Sequence, residues 1–402
     1  MEERIILHSD CNSFFASVEE VMKPELKKYP MAVCGSIENR HGIILAKNQL
    51  AKKFNILTAE TVIEAKRKCP DLVLVEPHHN KYSEYSKIIN QIYQSFTDLV
   101  EPFGVDESWL DVSGSSLLFG SGYDIAHQLR RYIRENLGLT VSVGVSYNKV
   151  FAKLGSDYKK PDAVTEINHD NYKNIVHPLP VTDLFMVGRN VADSLRSIGI
   201  NTIGDLAQTP QSFMSSRFGK IGENIHAYAN GIDGSPVVSF YNADVPKSVG
   251  NGMTFRRDLV TREDISTGVL ALTDEVTSRL RKYGLKCNTL QVSLKNSDFK
   301  TVSKQATLPY ALNSKKDIYD ASMSVIDLFW KKGSPVRSIT VTCTNLSVMN
   351  YRAEQMDMFG NLYQNDRIRR NERIDAAVDT MRIKYGRHSL FSASLLNNDI
   401  GV

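Results

Sequence analysis

Phe103-Gly104-Val105-Asp106-Glu107-Ser108-Trp109-Leu110-Asp111 sets two adjacent carboxylates between apolar and aromatic residues. An Asp-Glu pair alone is usually a solvated turn. Here Val105 on one side and Trp109-Leu110 on the other make the acids punctuate a buried strand pair, and buried carboxylates need a compensating charge. Toward the N-terminus, the apolar run Ile5-Ile6-Leu7 reads as a short buried strand over 4–8 that delivers Asp10 at its exit. Three carboxylates crowded together repel one another and resist ionising unless divalent cations neutralise them. Two magnesium ions, about 3.5–4 Å apart, would stabilise both the attacking and the leaving oxygen of a phosphoryl displacement. Three acids without a histidine suit magnesium.

At 402 residues the chain exceeds one ordinary core, so several domains are expected. The net charge of +4 is unevenly spread: residues 246–350 carry 16 Lys+Arg against 9 Asp+Glu, whereas residues 1–245 carry 25 against 29. An acidic front and a basic back segment suit a metal site beside a polyanion-binding surface. The 5 cysteines (Cys11, Cys34, Cys69, Cys287 and Cys343) show no zinc spacing and read as reduced thiols. No run of roughly 18 apolar residues occurs, and the N-terminus lacks a signal-peptide apolar region, so the expectation is a cytoplasmic chain without a membrane span.

Phe14-Phe15-Ala16-Ser17-Val18-Glu19-Glu20 opens a helix that ends near Pro24. Short strands at 31–35 and 42–46 and small helices at 51–54 and 61–65 complete a mixed module of about 65 residues. Apolar residues from Tyr82 to Phe96 keep helical spacing. A helix over 129–137 stops at Gly138, and Thr140–Ser146 alternates as a strand. An α+β sheet with helices on one face is the expected assembly, with the two acidic sites side by side. Residues 171–240 read as helical, and 236–246 as a linker. Beyond it, strands at 289–294 and 337–343 flank a helix over 315–330, a second and basic α+β domain.

Phe14-Phe15, directly after the acidic turn, reads either as core or as an aromatic plate under a nucleotide sugar. Lys149, Lys153, Lys159 and Lys160 read either as a solvated face or as holders of triphosphate charge. The turns at Gly188 and at Gly199/Gly204 resemble helix-hairpin-helix units, whose open N–H groups bind DNA phosphates without reading sequence.

Together these stretches resemble the Y-family, or translesion, DNA polymerases of the bacterial DNA polymerase IV and UmuC-like group. Asp10-Cys11-Asn12-Ser13-Phe14-Phe15-Ala16-Ser17-Val18-Glu19 is similar to the family's opening motif, Val105–Asp111 to its second, and Ser142–Lys153 with Lys160-Pro161 to its third. The resemblance implies a right-hand polymerase: palm at 1–12 and 79–168, small fingers at 13–78, helical thumb at 169–240, and an α+β little finger at 246–350 that binds DNA. A C-terminal tail follows at 351–402. It also implies roles. Asp10, Asp106 and Glu107 are catalytic and, with the Cys11 carbonyl, hold two Mg2+ ions. Phe15 is the steric gate against ribonucleotides, with Phe14 beside it, and Gln49, Lys52 and Lys160 meet the triphosphate. Gly188, Arg189 and Asn190 touch DNA. Gln355-Met356-Asp357-Met358-Phe359 resembles the bacterial sliding-clamp peptide, the alternative being an amphipathic turn.

Three departures accompany the likeness. Asn12 stands where the family often has an acid. In Ala46-Lys47-Asn48-Gln49-Leu50-Ala51-Lys52, Gln49 and Lys52 replace a Tyr and an Arg, and Lys keeps the charge but loses the bidentate fork. Asn190 replaces a common Gly. The expected activity is template-directed, low-fidelity DNA synthesis from dNTP and primer-template DNA, without proofreading, by a monomer. The rivals are a nucleotidyl cyclase, which has no use for a basic C-terminal domain, and a non-catalytic DNA- or clamp-binding protein.

Overall fold

The computed structural model describes residues 4–36, 42–239, 245–348, 362–396 and 398–402. The chain divides into two compact units, residues 1–35 with 43–243, and residues 36–42 with 244–402.

In the first unit the strands are β1 (Ile6–Cys11), β2 (Met31–Cys34), β3 (Ile44–Lys47), β4 (Val73–Val75), β5 (Val100–Pro102), β6 (Glu107–Asp111), β7 (Val141–Ser146) and β8 (Val164–Ile167). They form a five-stranded sheet, β5-β6-β1-β7-β8, and a three-stranded sheet, β3-β2-β4. β1 lies between antiparallel β6 and β7, in a register that sets Asp10 opposite Glu107 on one side and Ser142 on the other. Asp10 is therefore inside its strand rather than past its exit. β5 and β6 form the expected hairpin, with Asp106 in its turn.

The five-stranded sheet is covered on both faces, not on one. β7 is buried at every position, and its successive side chains point to opposite faces. A side chain at Gly144 would meet the Ala152 carbonyl oxygen at 1.9 Å, in the helix Lys149–Tyr158. A side chain at Gly122, in the helix Gly122–Leu137, would meet Val145 at 3.0 Å. A continuous apolar strand of this kind is the signature of two-sided burial. The helix Gly122–Leu137 starts on a Ser121–Asp124 capping box and stops at Gly138, whose φ of 67° a glycine adopts without strain. The helix His79–Gln94 turns Tyr82, Ile89 and Tyr93 into the same core.

Residues Tyr172 to Ala229 of this unit are largely helical, and Val187, Leu195, Ile203 and Ile225 cluster with Val150, Phe151 and Leu154 of the helix Lys149–Tyr158.

The second unit holds a four-stranded antiparallel sheet, β11-β10-β12-β9, built from β9 (Ser248–Leu259), β10 (Leu285–Lys295), β11 (Thr301–Leu312) and β12 (Val336–Val348). Helices Arg262–Lys282 and Lys315–Asp327 pack on one face. Leu290, Val292, Ile339 and Val341 point into that core. The alternate residues Gln291, Ser293, Thr340 and Thr342 share the opposite, polar face. Where the sequence suggests a polar tail after 350, residues Leu362–Tyr385 form a helix, so this unit continues beyond that boundary. Ion pairs hold the helix: Arg281 to Asp375 (3.3 Å) and Asp379 (2.6 Å), Lys286 to Glu372 (2.8 Å), and Arg382 to Asp274 (2.9 Å). Ile368 packs against the core, but most of the attachment is charge pairing, which hydrophobic periodicity does not register. The peptide 355–359 lies outside the described residues.

Candidate active site

The β1–β6 ladder builds the acidic centre. Asp10 and Glu107 face each other in register, and the Cys11 N–H donates to the Asp106 carbonyl oxygen at 3.0 Å, which ties the hairpin turn to the end of β1. Two acids distant in sequence thus meet at one end of two adjacent interior strands, with the third in the turn between β5 and β6.

Lysines and a histidine surround the acids. Lys160 Nζ lies 2.8 Å from Asp10 and 2.7 Å from Asp157. Lys153 pairs with Glu107, and His8 Nε2 stands 3.2 Å from the same carboxylate. His8 is fully buried, with Nδ1 2.8 Å from Ser156 Oγ. Burial raises the Glu107 carboxyl, but the hydrogen bonds from His8 and Lys153 override it and bring it down to about 2. Among the described residues Asp106 has no lysine or histidine bonded to it in this way: burial first, then the charges of Asp10 and Glu107, push it up to about 6. Asp10 is also raised by burial, against the pull of Lys160. Burial pulls the His8 imidazole down, so it is neutral at pH 7 and holds Glu107 as a hydrogen-bond partner.

Among the described residues, no three His, Cys, Asp or Glu side chains stand together closely enough to hold a metal as they are placed. Ammonium groups take the cation's part at Asp10 and Glu107. The donor set nevertheless fits a hard cation: all donors are oxygens, and Asp106 carries uncompensated repulsion that a divalent ion relieves. Asn12 is not arranged as a fourth acid's substitute. Its amide is spent within the sheet, donating to Thr140 Oγ1 at 3.2 Å and accepting from Ser142 Oγ at 3.0 Å.

Beside the acids opens a cavity of about 400 Å3 lined by residues 10–15, by Leu45, Ala46, Lys47, Lys52 and Thr58, and by Val105, Asp106 and Lys160. Phe14 and Phe15 both line it. The Phe15 ring stacks on Tyr82, centroids 4.1 Å apart and 12° from parallel. Tyr82 is held in turn by its hydroxyl, 2.5 Å from the buried Glu19 carboxylate. Tyr82 was missed because it reads as one more apolar helix position.

Several expected residues stand elsewhere. Gln49 is absent from this cavity's lining and borders a neighbouring one of about 290 Å3 with Glu20, Lys27 and Asn48. Lys149 pairs with Glu101 at 2.7 Å, 4.4 Å over the Trp109 ring, and Lys153 pairs with Glu107, so of the four lysines at 149–160 only Lys160 lines the cavity. Gly188, Arg189 and Asn190 are exposed at the start of the helix Arg189–Arg196, whose first turn carries no side-chain cap.

Paired acids on adjacent strands, next to a cavity with aromatic and cationic walls, are the equipment of a palm-type nucleotidyl-transferring polymerase. Models of the impB/mucB/samB family match residues 9–157, and of its C-terminal domain residues 246–358; a model described as the DNA polymerase-iota thumb domain matches 182–233. DNA polymerase IV of Acetivibrio thermocellus is 44% identical over 397 residues, covering 98% of each chain. DNA polymerase IV of Moorella thermoacetica is 38% identical, covering 96% of this chain and 95% of its own. A solved Y-family DNA polymerase chimera, Dbh-Dpo4-Dbh, shares the fold with a TM-score of 0.77 over 86% of this chain and 99% of its own, at 22% identity. The chain belongs to the Y-family DNA polymerases, in the bacterial DNA polymerase IV group, and is a DNA-directed DNA polymerase.

Proposed function

We propose that the chain extends a primer 3′ end with dNTPs on a DNA template, depends on magnesium, copies with low fidelity past lesions, and does not proofread. The observation that carries this reading is the Asp10–Glu107 register pair, tied to Asp106 and opening on the Phe15 cavity.

Asp10, Asp106, Glu107 and the Cys11 carbonyl would hold the magnesium. Bound there, the metal supplies charge neutralisation at the reacting phosphate and its attacking and leaving oxygens. The chain's own groups do the rest. His8 and Lys153 keep Glu107 ionised and oriented. Lys52 and Lys160 present positive charge to the triphosphate, and Phe15, pinned by Tyr82, stands where a sugar 2′-hydroxyl would collide. In the finger assignment (13–78), a three-stranded sheet with short helices sets few side chains over a nascent base pair, which supports loose selection. By the same reading the palm is 1–12 with 79–168, the thumb 169–240, and the little finger begins at 246. Gly188, Arg189 and Asn190 offer open helix N–H groups to a DNA phosphate. The motif at 355–359 would tether the enzyme to a sliding clamp by raising its effective concentration at the template.

Primer extension with magnesium tests the core of this. Wild type should extend and Asp106→Ala should not; equal extension by both would remove the assignment of Asp106 to the reaction.

A further inference from the structure

We infer that Lys47 is a nucleotide-binding residue, one of three lysines, with Lys52 and Lys160, that grip the triphosphate of the incoming nucleotide. This rests on the polymerase reading above and adds a residue to it.

The backbone places Lys47 in the cavity wall. β3 pairs with β2 as Ala32↔Lys47, Val33↔Ala46 and Cys34↔Ile44, with a shift between Val33 and Cys34 that leaves Leu45 as the extra residue. A bulge of this kind breaks strict alternation, and three consecutive residues, Leu45, Ala46 and Lys47, line the cavity. The Lys47 ammonium donates to Thr58 Oγ1 at 3.0 Å, and Thr58 lines the same wall. That hydrogen bond aims the chain and uses one of three N–H donors. The other two are uncommitted among the described residues.

The charges around it call for an anion. Glu60, the acid that attracts Lys47, is paired with Lys68 at 2.5 Å. Among the described residues no carboxylate lies within ion-pair distance of Lys47 or Lys52, and Lys160 is shared by Asp10 and Asp157. Burial lowers the Lys52 ammonium, and the charges of Lys47 and Lys160 lower it further. Burial lowers Lys47 as well. Three cations facing one another across a cavity are a strained arrangement, which a multiply charged anion relieves. The tyrosine that the family sets at position 49 is here a glutamine bordering the other cavity, so the donor next to Lys52 comes from position 47 instead.

The test is single-nucleotide incorporation by the full chain on a primer-template, comparing Lys47→Ala, Lys47→Arg and Lys47→Gln with wild type, each checked for folding by circular dichroism. Lys47→Ala and Lys47→Gln should raise KM for each of the four dNTPs about tenfold, with kcat changed by less than about threefold, and Lys47→Arg should restore most of the affinity. An unchanged KM, a loss in kcat alone, or a loss confined to some bases overturns the assignment. Using two neutral variants of different size guards against misfolding of one. Failure of the polymerase reading itself looks different: wild type would then not extend at all.

Discussion

Replacing Asp106 by Asn should make the metal-free protein more stable at neutral pH, although it removes a central carboxylate. Asp106 titrates at about 6 in the folded chain, against an ordinary 3.8, because burial and the charges of Asp10 and Glu107 oppose its ionisation. A raised folded-state pKa means that the folded form binds the proton more tightly than the unfolded one. Below about pH 4 both states are protonated and the group's favourable contribution is fully present; it is lost as pH rises through about 6. The shift of about two units is worth about 3 kcal/mol at 1.36 kcal/mol per unit. Since Asp106 is partly open to solvent, screening reduces this to about 1–2 kcal/mol. Asn keeps the shape and removes the charge.

Urea titration followed by far-UV circular dichroism, without divalent ions, should therefore give Asp106→Asn a higher midpoint than wild type at pH 7.5, and equal midpoints near pH 4. Saturating magnesium should reverse the order at pH 7.5 by stabilising only the wild type. A variant that is equal to or weaker than wild type at pH 7.5 without metal would refute the crowding of the three acids, and with it the reason for expecting cations there.

Other outcomes follow from the site's geometry and from the sequence. Phe15→Ala should admit ribonucleotides, lowering discrimination roughly a hundredfold, about 3 kcal/mol, while dNTP use is largely kept; paired incorporation kinetics with dNTP and rNTP check it. Gly144→Ala should destabilise by about 3 kcal/mol or more, since the new methyl would lie 1.9 Å from the Ala152 carbonyl oxygen with only backbone to give way, and urea midpoints measure it. Deleting 355–359 should abolish sliding-clamp capture in a pull-down yet leave distributive primer extension intact.

The acidic half of the site was legible because a strand pair makes it local. Once Ile5–Leu7 and Ser108–Leu110 are recognised as buried strands, Asp10 and the 106–107 pair have few other places to meet, and the ladder sets Asp10 against Glu107. The supports were not legible. His8 is two residues from Asp10 on the same face of β1, but its value depends on Ser156 and Glu107, which sequence does not place beside it. Two-faced burial of the sheet was missed because Gly144 hides a close helix contact that an apolar count does not score. β11 went unread for the opposite reason: residues 301–305 are exposed, and only Ala306, Leu308 and Leu312 in its later part face the core, too few to show a period of two. The helix Leu362–Tyr385, fixed by charge pairs, gave no apolar stripe to find.

The cationic wall shows why motif matching and face assignment diverge. By motif, the triphosphate contacts belong at positions 49 and 52, and a regular β3 would let Ala46 and Lys47 face opposite ways. Past the bulge at Leu45 the register is regular, with Ala46 opposite Val33 and Lys47 opposite Ala32, and the ammonium is aimed by its bond to Thr58 Oγ1 at 3.0 Å, while Gln49, past the end of the strand, borders the second cavity. One hydroxyl across the wall thus fixes where the charge of Lys47 stands, and a motif read along the strand does not contain it. Thr58→Val, which keeps the shape of the side chain and removes the acceptor, should therefore raise KM for dNTP in the direction of Lys47→Ala, even though every lysine remains. If that variant folds and keeps the wild-type KM, the position of Lys47 is not what Thr58 provides.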